Sequence, residues 1–190
     1  MCEIEGNYEF DFGNLKPEKF DKKGNTIQGL LAVDFIVETD THLLFIEFKD
    51  FDGLKKKIEN TEDEKEKEKL REYLKTRNKE DLEKLKLKKD ESNEDSVALF
   101  RTQIGGKFKD SILRKYVSGY KFEKPIKYIF ILEFDFYTKR ERIKLREQIF
   151  TGYMPTFSEI KIKQIKIENF EIKNIDEFSK DYFPVKLKMI

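Results

Sequence analysis

Residues 29–49, GLLAVDFIVETDTHLLFIEFK, decide the fold. Two apolar runs, residues 29–37 and 43–49, are separated by the turn sequence Thr39-Asp40-Thr41-His42. Both runs are apolar on both faces, a pattern typical of central strands that helices cover on each side. The stretch therefore predicts a β-hairpin at the centre of an α/β sheet.

Three charged residues interrupt these strands: Asp34 in the first, and Glu47 and Lys49 in the second. Side chains alternate along a strand, so Glu47 and Lys49 project from the same face. If Asp40-Thr41 is a two-residue hairpin turn, the pairing continues outward from it and places Asp34 directly opposite Glu47. All three side chains are then expected on one face of the hairpin.

This arrangement predicts a site for a divalent cation. Directly opposed residues have Cβ atoms about 4.5–5.5 Å apart, near enough for two carboxylates to bind one hard metal ion. Lys49 would lie where its ammonium can reach a scissile phosphate or a metal-bound water. The alternative is that Asp34, Glu47 and Lys49 form a buried ion-pair cluster without a catalytic task. A turn one residue longer or shorter would put the two carboxylates on opposite faces.

The remaining chain predicts an α/β fold in which a central mixed sheet is flanked by helices. In chain order we expect a helix at about 95–116, a strand at 126–134, a helix at about 138–150 and a strand at 159–168. Of the 37 residues from 55 to 91, 26 are charged. A thin seam of leucines in that segment predicts a charged helical hairpin, inserted within a single domain that spans 1–190.

Composition excludes several classes of chemistry. One Cys and one His in 190 residues cannot build a Cys/His zinc site or a disulfide framework. No apolar run approaches the length of a membrane span, and the acidic N-terminus lacks the apolar core of a signal peptide. We therefore expect a cytoplasmic location and no membrane partner. The net charge of +1 gives no overall bias toward nucleic acid, which leaves the local distribution of charge to decide.

The segment Val33-Asp34-Phe35, followed after a short turn by residues 45–49 (FIEFK), resembles the core of the PD-(D/E)XK, or restriction-endonuclease-like, nucleases. The resemblance covers about residues 21–134 without the insertion. It implies a central mixed sheet flanked by helices in the order αβββαβ, with Mg²⁺, or Mn²⁺ as a substitute, held by Asp34 and Glu47. It also implies that Lys49 orients or activates the attacking water.

Members of this family often carry further site residues on two helices. One is an acidic residue on an N-terminal helix, and four residues compete for that role here: Glu5, Glu9, Glu18 and Asp21. The other is a Gln or Lys on the helix after the Glu-x-Lys strand. The resemblance assigns it to Gln103 and Lys107, which are four residues apart and so share a helix face. An amphipathic helix with ordinary surface lysines is the alternative.

A local excess of positive charge follows the insertion. Residues 100–127 contain eight Lys or Arg against two acidic residues, as expected of a surface that binds phosphates. A solvated basic helix would have the same composition. The residues expected to contact nucleic acid are Arg101, Lys107, Lys109, Arg114 and Lys115.

Together these features predict a Mg²⁺-dependent nuclease that hydrolyses DNA phosphodiester bonds. Two other functions stay open: a nuclease-like module that binds nucleic acid or protein without cutting, and an interaction protein built around the charged hairpin. The sequence does not separate a DNA substrate from an RNA substrate. It also leaves the oligomeric state open, with a homodimer as one alternative.

Overall fold

The computed structural model describes residues 2–5, 8–20, 30–50, 62–65, 68, 104–133, 138–147, 165–182 and 184–189. The strands in these ranges are β1 (Cys2–Glu5), β2 (Tyr8–Asp11), β3 (Pro17–Lys19), β4 (Phe35–Glu38), β5 (Leu43–Asp50), β6 (Ile126–Glu133), β7 (Ile167–Lys173) and β8 (Lys186–Met189). The helices are α1 (Gly106–Val117), α2 (139–147) and α3 (Ile175–Asp181). Residues 64, 65 and 68 are also helical, but most of the predicted insertion lies outside the described ranges.

Five strands form a mixed sheet in the order β3-β4-β5-β6-β7. The pairs β3–β4 and β4–β5 are antiparallel, whereas the pairs β5–β6 and β6–β7 are parallel. Parallel neighbours need a crossover connection, and α1 and α2 lie in the two crossovers. A second, antiparallel sheet has the order β1-β2-β8. The prediction of an α/β protein with a central mixed sheet is confirmed.

The hairpin between β4 and β5 has the predicted register. Phe35 pairs with Ile46, and the turn is closed by a hydrogen bond of 2.9 Å from the Thr39 N–H to the His42 carbonyl oxygen. Because side chains alternate along each strand, this register determines which residues of β4 and β5 share a face.

Both faces of the main sheet are buried, each by its own apolar cluster. On one face, the Phe108 ring of α1 stacks on Tyr128 with centroids 4.5 Å apart and meets Phe45 edge-on at 5.7 Å. The other face packs against the small sheet, where the Phe10 and Phe35 centroids are 5.0 Å apart. The face of β5 that carries Phe45 therefore lies under α1, and alternation places residues 47 and 49 on it as well.

The first strand of the hairpin is shorter than predicted. The apolar run suggests residues 29–37, but β4 is only four residues long. Ahead of it, the Leu31 N–H donates to the Asp110 carboxylate at 2.9 Å, and the Val33 N–H donates to the Ser111 hydroxyl at 2.9 Å. Side chains of α1 thus satisfy backbone groups that a neighbouring strand would otherwise satisfy.

Two predictions near the chain ends differ from the described structure. The N-terminal helix implied by the resemblance is replaced by β1 and β2, and the alternating Tyr8 and Phe10 of β2 enter the core. The alternation of Ile and Lys predicts a last strand at 159–168, whereas the last strand of the main sheet is β7, Ile167–Lys173. Residues 159–164 lie outside the described residues. Only Phe170 and Ile172 of β7 are buried. The hydrophobic pattern of β7 is therefore weaker in the sequence than the Ile-Lys alternation that precedes it.

The helices agree with prediction where they are described. Helix α1 ends at Val117, next to the predicted end, and α2 lies within the predicted 138–150. Residues 95–103, the predicted start of the first helix, lie outside the described ranges. Within those ranges, no helix is long and apolar enough to cross a membrane.

Candidate active site

Asp34, Glu47 and Lys49 lie on the face of the main sheet that α1 covers. Asp34 directly precedes β4, and the hairpin register sets it across from Glu47. Glu47 and Lys49 share their face of β5 because side chains alternate along the strand. Asp34 is 2% exposed and Glu47 is 1% exposed. The predicted clustering of the three residues is confirmed.

Glu47 receives two ammonium groups on one carboxylate oxygen. Its Oε1 lies 2.8 Å from the Nζ of Lys49 and 2.6 Å from the Nζ of Lys107. Its other oxygen, Oε2, is buried and has no hydrogen-bond partner among the described residues. An unsatisfied buried carboxylate oxygen is costly, so a cation or a donor at this atom would stabilise the protein.

Asp34 is held by the backbone of the facing strand. The Phe48 N–H donates to Asp34 Oδ2 at 2.6 Å, while Asp34 Oδ1 lies 3.8 Å from the Nζ of Lys107. The backbone bond fixes one oxygen of the carboxylate. The other oxygen is left facing the ammonium that also contacts Glu47.

Burial changes the pKa values of the charged groups in this cluster. Burial, followed by the negative charge of Glu47, raises the pKa of Asp34 from 3.8 to about 7, against the opposing charges of Lys49 and Lys107. Burial also disfavours the charge on Lys49, but Glu47 and Asp34 outweigh it and hold the pKa of Lys49 above its ordinary value. The site thus keeps Lys49 charged and lets Asp34 exchange a proton near neutral pH, a property common at functional sites.

Lys107 enters the site from the first turn of α1. Its contact with Glu47 confirms the prediction that it faces the two carboxylates, whereas Gln103, its predicted companion, lies outside the described residues. The Tyr128 hydroxyl on β6 donates to the Ile104 carbonyl oxygen at 3.2 Å. This bond ties the segment that leads into α1 to the sheet and so helps to place Lys107.

Among the N-terminal acidic candidates, Glu5 lies on β1 and forms an ion pair of 2.9 Å with Lys19. Its charge contributes to the raised pKa of both Asp34 and Lys49. The described residues nevertheless contain no group of three His, Cys, Asp or Glu side chains that could hold a metal ion, so the carboxylates at the site are Asp34 and Glu47. The other candidates lie elsewhere: Glu9 on β2, Glu18 in an ion pair with Lys115, and Asp21 outside the described residues.

The basic residues predicted to contact nucleic acid have different environments. Arg114 is buried, with its guanidinium carbon 4.1 Å from the centre of the Phe20 ring and a hydrogen bond of 3.2 Å to the Phe20 carbonyl oxygen. The prediction for Arg114 is wrong, because a buried guanidinium cannot reach a phosphate. The charge of Lys115 is already paired with Glu18. Of the others, Lys109 is exposed, Lys107 lies in the site and Arg101 is outside the described residues.

We expect Arg114→Ala to lower the free energy of unfolding by about 1–3 kcal/mol, because it removes a buried cation–π contact and a hydrogen bond. Lys109→Ala, on the same helix but exposed, should change that free energy by less than about 0.5 kcal/mol. Urea denaturation of both variants measures the contrast. Equal stability of the two variants would contradict a structural role for Arg114.

Asp110 and Ser111 contribute to the site and were not predicted. They accept the Leu31 and Val33 N–H groups and so hold the segment that leads into Asp34 against α1. Ser111 is fully buried. The available signal was its position next to Ile112 within the apolar stripe of the helix, where a small polar residue needs an internal partner.

No protein-family model, no curated protein and no solved structure matches this chain. The chemistry of the site is therefore argued from its geometry. Two buried carboxylates and two ammonium groups meet at one point, and the Lys49 side chain, 37% exposed, connects that point with solvent.

Proposed function

We propose that the chain is a Mg²⁺-dependent nuclease that hydrolyses DNA phosphodiester bonds. The observation that carries the proposal is the convergence of Asp34, Glu47 and Lys49 on one sheet face, with Glu47 Oε2 buried and without a partner among the described residues. A purely structural ion cluster would be expected to satisfy its buried oxygens. In a site that binds a cation during function, one carboxylate oxygen is expected to be available to that cation.

The order of elements around the site supports this proposal. Outside the insertion, the described strands β3, β4 and β5, followed by α1 and β6, give the order βββαβ. This is the order expected of a restriction-endonuclease-like core after its first helix. The chain departs from that pattern at its N-terminus, where the described residues form strands β1 and β2.

Asp34 and Glu47 are the residues that would hold Mg²⁺. Carboxylate oxygens suit this ion, which is usually bound in proteins by one or two carboxylates together with waters and substrate phosphate. The unpartnered Glu47 Oε2 and the fixed orientation of Asp34 fit such a role. When bound, Mg²⁺ would polarise the phosphate and lower the pKa of a water molecule that it holds.

Lys49 would bind and orient the scissile phosphate. Its Nζ contacts Glu47 while its side chain reaches solvent, so it lies between the buried carboxylates and the approaching substrate. The raised pKa of Lys49 keeps the ammonium charged at neutral pH. Positive charge at this place stabilises the negative charge that accumulates on the phosphate in the transition state.

One observation favours a second function. Lys49 and Lys107 already neutralise Glu47. A module that binds nucleic acid or a protein partner without cutting could keep these ion pairs for structural reasons alone. Such a module would bind its partner but show no metal-dependent cleavage.

The proposal is tested by incubating the 190-residue chain with supercoiled plasmid, linear duplex DNA and RNA of matching sequence, each with Mg²⁺, Mn²⁺ or EDTA. Cleavage of DNA with either metal ion and none with EDTA is the expected result. Cleavage restricted to RNA would correct the substrate. Retained binding without cleavage would favour the non-catalytic module.

Lys49→Ala should lower the cleavage rate by at least about 100-fold, as removal of one preorganised donor to a transition-state charge commonly does. Lys188→Ala, an exposed lysine on β8, is the matched control and should leave the rate unchanged. Cleavage that survives both substitutions would come from a contaminating nuclease or from a different site.

A further inference from the structure

The ammonium of Lys107 occupies the space between the two carboxylates. It is 2.6 Å from Glu47 Oε1 and 3.8 Å from Asp34 Oδ1. Among the described residues it is the one cation that forms ion pairs with both acids, because Lys49 pairs with Glu47. A metal ion held jointly by Asp34 and Glu47 would need the same space.

The described contacts of the Lys107 ammonium lie outside its own helix. The ammonium pairs with Glu47 and lies close to Asp34, so its placement serves the carboxylate pair.

We propose that Lys107 is the resident counterion of the site: it neutralises Asp34 and Glu47 in the metal-free protein, and a divalent metal ion must displace it to bind both. This inference rests on the proposed metal site. A divalent ion that bridges Asp34 and Glu47 would lie at contact distance from the Lys107 ammonium, and the repulsion between them is strong in a partly buried site. Lys107 is the one to move because its ammonium lies near both carboxylates, whereas Lys49 is paired with Glu47 alone.

Displacement has two consequences. The apparent affinity of the free protein for the metal equals the intrinsic affinity multiplied by the fraction of molecules in which Lys107 has left the site. The released ammonium, on a helix directly above the carboxylates, becomes available to the phosphates of a polyanion. Lys107 would thus couple metal binding to substrate binding.

The first test measures the reactivity of each lysine toward an amine-labelling reagent by mass spectrometry, without nucleic acid, in EDTA and in saturating Mn²⁺. The labelling rate of Lys107 should rise several-fold in Mn²⁺. Lys109, exposed on the same helix, is the internal control and should react equally in both conditions. An unchanged or lower rate for Lys107 in Mn²⁺ would overturn the proposal.

The second test measures Mn²⁺ affinity by isothermal titration calorimetry. If the state without Lys107 in the site is populated at about 0.1–10%, Lys107→Met should raise the affinity by at least about tenfold, while Lys109→Met should leave it unchanged. Equal affinity of Lys107→Met and the wild type would also overturn the proposal.

Asp34→Asn separates this inference from the proposed function. If Mn²⁺ binds with an affinity that depends on Asp34 but Lys107 does not become more reactive, displacement is wrong and the metal site stands. If no binding depends on Asp34, both the metal site and the displacement of Lys107 are wrong.

Discussion

Asp34→Asn is expected to abolish metal-dependent cleavage and to leave the metal-free protein at least as stable as the wild type. The substitution replaces a negatively charged ligand with a neutral amide of the same shape, so the site loses one of its two carboxylates. We expect the cleavage rate to fall by at least about 100-fold, since the metal would be poorly bound and poorly placed.

The stability of the variant follows from the environment of Asp34. Its carboxylate is buried and faces Glu47, and together these effects outweigh Lys49 and Lys107, as its raised pKa shows. An amide at this position has no charge to desolvate, and its oxygen can still accept the Phe48 N–H. Activity and stability should therefore change in opposite directions.

Differential scanning fluorimetry in EDTA and in Mn²⁺ measures the stability of both proteins, alongside the cleavage assay. Asp176→Asn, an exposed residue of α3, is the matched control and should alter neither property appreciably. A metal-free melting temperature many degrees below that of the wild type would mean that Asp34 is a paired structural charge. The ion-cluster interpretation would then hold for this residue.

The contribution of Asp34 to the stability of the metal-free wild type should fall as pH rises from about 4 to about 7. Asp34 has a folded-state pKa of about 7 against 3.8 in the unfolded chain, so between these values the folded state binds more protons than the unfolded state. The contribution of Asp34 to the free energy of unfolding then falls as pH increases. Between pH 5 and pH 8 this residue should account for a loss of about 2–3 kcal/mol.

Urea denaturation of the wild type and of Asp34→Asn in EDTA, across that pH range, isolates the effect because all other groups are common to both chains. The stability difference between them should widen in favour of the variant as pH rises. Saturating Mn²⁺ should reverse the trend in the wild type, because metal binding requires the ionised carboxylate. A pH-independent difference would show that Asp34 ionises as readily in the folded protein as in the unfolded chain.

The hairpin and the clustering of its charges could be predicted from the sequence because both depend on local rules. A two-residue turn fixes the register, and alternation then places Asp34, Glu47 and Lys49 on one face. Lys107 was found through the resemblance, and the described part of α1 brings it to Glu47. In each case a short distance along the chain, or a known order of elements, determines the geometry.

The remaining features depend on contacts between distant parts of the chain. The excess of positive charge at 100–127 predicted a surface that binds nucleic acid. In the structure, however, Arg114 packs on Phe20 and Lys115 pairs with Glu18. No count along the sequence shows which cations the fold uses internally. The same limit applies to Ser111, whose partner Val33 is far away in sequence, and to β7, which buries few apolar side chains.

The short strand β3 has a consequence for how this molecule could associate with copies of itself. It forms one edge of the described main sheet, is three residues long and begins with Pro17, which has no N–H to donate. Short edge strands that contain proline and lysine discourage the addition of a further strand from another chain. A dimer that continued the sheet across this edge is therefore disfavoured, and the same feature protects the exposed backbone there from amyloid-like growth.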